Sequence, residues 1–162
     1  MPESDKFGKE NPKEVFSQPD IFSEKGEFER VANTFNIDSS VLLWAAQQGH
    51  MTSLTEDIWS ILQNTDSYDV EKDDHETAGK YAESVGRNYR EVAEVIYAGV
   101  ANNEPINAPI VMKIGEIYHL VSGNTRLMAI RAYGVAPKVW LFEVEQVPAI
   151  TPNISVIQGG KQ

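Results

Sequence analysis

"LVSGNTRLMAIRAYG", residues 120–134, decides how this chain is read. An apolar run, the end of a strand, stops at Ser122-Gly123-Asn124-Thr125, and an apolar helix pattern begins at once. Arg126 then falls in the first helical turn. A cation there is disfavoured by roughly 0.3–1 kcal/mol, because a helix N-terminus already carries partial positive charge. That end of a helix is instead suited to anions, since its first amides lack intrahelical partners. Gly123 permits close backbone approach or a positive φ. Asn124 or Ser122 could cap the helix, Thr125 adds a hydroxyl, and Arg126 supplies a fork suited to phosphate. The competing reading pairs Arg126 with a carboxylate such as Glu104.

The elements around this stretch follow from spacing. "NYREVAEVIYAGV" (88–100) is an amphipathic helix with Tyr89, Val92, Val95, Ile96 and Val100 on its apolar face and Arg90 four residues before Glu94. "NNEPINAP" (102–109) is a loop. "PIVMKI" and "IYHLV" flank Gly115-Glu116 as a hairpin with a type II′ turn. The helix over 125–133 stops at Gly134, and "KVWLFEV" (138–144) is a buried strand. The order from residue 88 is α, β, β, α, β.

Upstream, three helical patterns precede it. They are 27–35, 38–49 and 53–64, the last opened by Ser53 and Glu56 as a capping box. Short connections between them predict a small helical subdomain. The acidic stretch 65–77 is expected to be a solvated linker, because an EF-hand read from Asp69 would place Asp74 at the glycine position and Lys80 at the glutamate position. The fold class is therefore α+β, a small mixed sheet with packed helices preceded by an all-helical region. The expected division is a flexible arm (1–25) anchored by Phe16, Ile21 and Phe22, a helical region with acidic linker (26–80), an α+β domain (81–148) and a tail (149–162).

Composition bounds the chemistry. The 162 residues carry a net charge of -10, unevenly spread: residues 1–86 hold 18 acidic and 7 basic side chains, residues 87–162 hold 6 and 7. Such acidity argues against broad nucleic-acid binding but permits one local phosphate site. The absence of cysteine excludes disulfides, zinc-thiolate sites and thiol nucleophiles. His50 and His75 have no ligand partners in sequence, so no metal site is expected, and neither zinc nor haem. No apolar run reaches the ~18 residues of a membrane span, and the charged N-terminus lacks a signal core, so the expected location is the cytoplasm without membrane contact.

The sequence "GNTRLMA" (123–129) also fits the G-x-x-R-x-x-A signature of the ParB/sulfiredoxin superfamily, which includes chromosome-partition ParB N-terminal domains, sulfiredoxin and free serine kinases. The resemblance spans residues 85–145, taking in the helix ending "AGV", the "PI-V" and "Y-LV-G" strands and the "A--YG--PKV" return. It implies a ParB/sulfiredoxin-like fold and a nucleotide site in which Gly123 and Arg126 match the family's phosphate-holding glycine and arginine, with ATP, ADP or CTP and Mg²⁺ as the ligand. Asn124 and Thr125 depart from the Glu-Arg of ParB, the Cys-His of sulfiredoxin and the histidine of many kinase members. The residues that do chemistry in those proteins are thus replaced.

The expected phosphate-binding set is Ser122, Gly123, Asn124, Thr125 and Arg126, with Arg87 as a further contact. Glu83 and His119 are the candidate catalytic groups. Three functions follow: an NTP-dependent phosphotransferase or NTPase, a DNA-associated ParB-like module of partition or nuclease type, and a non-catalytic regulatory protein docking a partner through residues 26–64. By analogy, a short chain with an idiosyncratic N-terminal region also suggests a phage or mobile-element protein acting in a host cytoplasm.

Overall fold

The computed structural model describes residues 15–145. The arm before residue 15 and the tail after residue 145 lie outside the described residues. Two strands form a small parallel pair, β1 (Phe16–Ser17) with β3 (Ile106–Asn107). The main sheet has four strands in the order β2-β6-β4-β5, namely β2 (His50–Ser53), β6 (Lys138–Val144), β4 (Ile110–Ile114) and β5 (Ile117–Ser122). β4 and β6 run parallel, while the β2/β6 and β4/β5 pairs are antiparallel. The class is α+β.

Strand alternation builds two cores from one sheet. Ile110, Met112, Val121, Trp140 and Phe142 face α1 (Lys25–Phe35) and α2 (Ser39–Gln47), packing with Phe28, Val31 and Leu42. Val111, Leu120 and Val139 face the other way. They meet Trp59 of α3 (Glu56–Ile61), Ala78 and Ala82 of α4 (His75–Ser84), Ile96 of α5 (Tyr89–Asn102), and Leu127 and Ile130 of α6 (Asn124–Tyr133). Burial on both faces is why the strands read as continuous apolar runs rather than alternating ones.

This arrangement corrects several expectations. The upstream region is not all-helical: residues 50–53 form β2, an edge strand, and α1 and α2 cover one face of the common sheet. "HMTS" carries no apolar alternation to announce a strand. The cap of α3 is Thr55, whose hydroxyl accepts from the Ile58 amide, rather than Ser53. The acidic stretch is not a plain linker. It holds a 3-10 turn at Ser67–Asp69, the buried Val70, and the start of α4, where Asp74 caps by accepting from the Thr77 amide at 3.0 Å.

The inward face of α5 is Tyr89, Ala93, Ile96 and Gly99, while Val95 and Val100 are exposed. Small residues point inward because the packing is close: a Cβ on Gly99 would lie 2.4 Å from Ile106 Cδ1. The hairpin forms as expected, with Gly115 at φ 59 and Ile114 paired with Ile117. Of the proposed arm anchors, Phe16 and Ile21 are buried and Phe22 is exposed. No helix among the described residues is long and apolar enough to cross a membrane.

Candidate functional site

β5 runs out at Ser122, and α6 begins two residues later. The residue between them, Gly123, is the N-cap with φ 111 and ψ 21. A Cβ there would meet Pro109 Cβ at 2.8 Å and Pro109 Cα at 3.0 Å, so both the dihedral and the space call for glycine. Neither Ser122 nor Asn124 caps the helix, and Gly123, at the cap position, has no side chain to do so. Asn124 is held elsewhere, its Oδ1 accepting from the Thr65 hydroxyl. The N-terminus of α6 thus keeps its capacity for an anion.

Arg126 occupies the third position of α6. It donates to the Asn107 carbonyl at 3.1 Å and, at 3.4 Å, to the Ser122 hydroxyl. Among the described residues no carboxylate comes within ion-pair distance of it, so the Glu104 pairing does not form. Burial pulls its pKa down from the arginine value, Glu24 opposes that, and Arg87 adds to it. A half-buried cation beside a second cation and a helix N-terminus is an unfavourable ground state that Glu24 only partly offsets, and an anion would relieve it.

A cavity of about 670 Å³ opens over this turn, within the usual size range of ligand sites. Ser122, Gly123, Asn124, Thr125 and Arg126 all line it, as does Arg87. The opposite wall comes from far upstream: Glu24, Glu27 and Arg30. Glu27 draws Arg30 and Arg87 together, the latter at 3.3 Å. Ser122 donates to Glu24 Oε1 at 2.7 Å. Val85 and Val92 add apolar surface, and Asn64 is fixed by donating to the Leu120 carbonyl at 2.8 Å.

The candidate catalytic groups stand apart. Glu83 is exposed and does not line the cavity. His119 points to the α1 side of the sheet, edge-on to Phe35 with ring centroids 5.0 Å apart. It is buried, and its Nδ1 has no hydrogen-bond partner. Burial first, and the field of Arg30 second, hold its pKa below the ordinary histidine value. Lys113 is paired with Glu143 at 3.3 Å.

Arg131, in the last turn of α6, is clamped. Its guanidinium lies over Trp59 and Tyr68, at 4.7 and 4.4 Å from the ring centroids. It donates to the Val70 carbonyl at 3.2 Å and to both Glu56 oxygens at 3.1 and 2.9 Å. A second cavity, about 850 Å³, adjoins it, but these contacts already employ the arginine.

Sequence reasoning missed Glu24, Glu27, Arg30, Asn64 and Glu91 as cavity residues. Each sits on a different element or loop from the Gly123 turn, and no local spacing announces that α1 crosses β5. Among the described residues, no group of three or more acidic or histidine side chains is placed to hold a metal ion. Comparison of the chain with protein-family models, curated proteins and solved structures returns no match.

Proposed function

We propose that the chain is a phosphate-binding protein of ParB/sulfiredoxin-like fold whose ligand is a nucleotide, held at Gly123–Arg126. The observation that carries this reading is Arg126 itself. It is a partly buried guanidinium at an uncapped helix start, lining a cavity, with no carboxylate among the described residues in ion-pair range. The first-turn amides and the Arg126 fork would hold the phosphates, with Arg87 available from the facing wall. Val85 and Val92 offer apolar cover for a nucleoside. Mg²⁺, when bound with the phosphates, would screen their charge; the carboxylates facing the cavity are Glu24, Glu27 and Glu91.

Binding is better supported than transfer or hydrolysis. Both groups singled out for proton transfer, Glu83 and His119, lie off the cavity, and Asn124 is tied to Thr65. A nucleotide-dependent regulatory protein is therefore the favoured form of the reading, ahead of a phosphotransferase or NTPase. The exposed Val41 and Trp44 on α2 favour a protein partner docking through residues 26–64. The acidic charge continues to weigh against a DNA-associated role.

Thermal unfolding with ATP, ADP, CTP and GTP plus Mg²⁺ tests this directly. A ligand that binds only the folded state raises stability, by about 2.7 kcal/mol at one hundred times its Kd. At least one nucleotide should raise the Tm of the wild type and not that of Arg126→Ala. No shift with any of the four would refute the reading.

A further inference from the structure

The cavity over the Gly123 turn is lined by three arginines, Arg30, Arg87 and Arg126, and by three glutamates, Glu24, Glu27 and Glu91. Its formal charge is zero, so an entering phosphate meets no net attraction. Two of the glutamates are engaged. Glu27 holds Arg30 and Arg87 in place. Glu24 reaches the other half of the site, where the Ser122 hydroxyl donates to its Oε1 at 2.7 Å while Arg126 donates weakly to that same hydroxyl oxygen at 3.4 Å. Arg126, Ser122 and Glu24 thus form one polar chain ending on an internal anion.

The backbone that carries Glu24 is well fixed. Phe16 and Ile21 bury on its N-terminal side and Phe28 on the other. The Glu24 amide donates to the Ile21 carbonyl at 3.1 Å, and the Ser23 hydroxyl to the Asp20 carbonyl at 2.8 Å. Glu24 is also the N-cap residue of α1, yet its side chain makes no cap bond to that helix. The start of α1 does not claim the carboxylate either, since the chain enters α1 straight from a 3-10 turn and the Lys25 amide already donates to the Phe22 carbonyl; half-exposed, Glu24 is free to leave Ser122 for solvent.

Resting on the reading of this turn as a phosphate site, we infer that Glu24 is an autoinhibitory counter-anion. It neutralises the Arg126 end of the cavity in the free protein and must swing away for a phosphate group to bind. Bound to Ser122 it closes the site, and released to solvent it opens it, a latch on a fixed backbone. The consequence is a site that rejects weakly charged anions. Only a ligand with enough negative charge to displace a carboxylate, a di- or triphosphate rather than a monoester, opens it.

Calorimetric titration of inorganic tripolyphosphate and inorganic phosphate into the full chain at low salt tests the latch. Glu24→Gln should bind tripolyphosphate at least about tenfold more tightly than wild type, the scale expected for removing one unit charge a few ångströms from the ligand. It should also gain measurable affinity for inorganic phosphate. Glu91→Gln, which removes a lining carboxylate without a bond to Ser122, should gain less than about threefold. Ser122→Ala provides a second release of the latch and should tighten tripolyphosphate binding in the same direction.

Adding Arg126→Ala to Glu24→Gln should abolish the gain. Equal or weaker binding by both Glu24→Gln and Ser122→Ala, with wild type still binding tripolyphosphate, would overturn the latch and leave the phosphate site standing. Absence of binding in every variant would overturn both.

Discussion

Helix α6 carries an arginine near each end, and the two are treated in opposite ways. Arg131, in the last turn, sits where a cation suits the helix dipole. It is stacked between Trp59 and Tyr68 and forks onto Glu56. Arg126, in the first turn, sits where a cation does not, and among the described residues its hydrogen bonds are one to a carbonyl and one long one to a hydroxyl. A guanidinium stacked on two rings, with Nε on a carbonyl and Nη1 on a carboxylate, is part of the scaffold. One left short of partners in a cavity is poised for something that is not the protein. The helix is the same, so the difference lies in what tertiary structure brings to each end.

The glycines flanking α6 extend the contrast and give the largest expected effect. Gly123→Ala puts a Cβ against Pro109 at φ 111, and should cost about 3 kcal/mol, because strained dihedral and backbone clash add. Gly134→Ala, at φ 72, meets only the Lys72 side chain at 3.0 Å or more, which can move, so about 1 kcal/mol is expected. Urea unfolding of both variants checks the ranking. A reversed order would break the claim that the Gly123 turn is the more constrained end.

Next in size is Arg131→Ala, expected to cost about 2 kcal/mol through lost stacking on two rings and an unsatisfied Val70 carbonyl. Arg131→Lys should recover less than half of that, since an ammonium cannot reproduce the planar fork. Full recovery by lysine would show that charge alone, rather than the clamp, matters at this end.

The smallest effect sharpens the assignment of His119 to the scaffold. Its folded pKa lies below 6.5, so the unfolded chain takes up the proton first as pH falls. Stability due to His119 is full above pH 6.5 and declines below it until the folded pKa is passed. His119→Leu should remove that decline from the pH–stability curve while leaving nucleotide shifts intact. A loss of ligand response in His119→Leu would place the histidine in the site after all.

Much of this was legible in the chain. The hairpin at Gly115, the helices α1, α2, α5 and α6, and the strand Lys138–Val144 follow from periodicity and turn residues. β2 was hidden because "HMTS" is polar and takes its structure from β6 alone. α4 was hidden because an acidic run masked Asp74 as a cap. At the site, the Gly123–Arg126 turn could be read locally. The wall of Glu24, Glu27 and Arg30 could not, since chain separation of nearly one hundred residues leaves no spacing signal. The clamp on Arg131 leaves no spacing signal for the same reason: Trp59, Tyr68 and Glu56 reach it only through folding.

The division of labour between the two arginines is tested most directly by urea unfolding of wild type, Arg126→Ala and Arg131→Ala, each with and without saturating nucleotide triphosphate and Mg²⁺. The account predicts that Arg131→Ala loses stability without ligand but keeps the full ligand-induced gain. Arg126→Ala should keep its ligand-free stability to within about 0.5 kcal/mol, or gain slightly, and lose the ligand response. An Arg126→Ala protein as unstable as Arg131→Ala, or one that still responds to nucleotide, would contradict it.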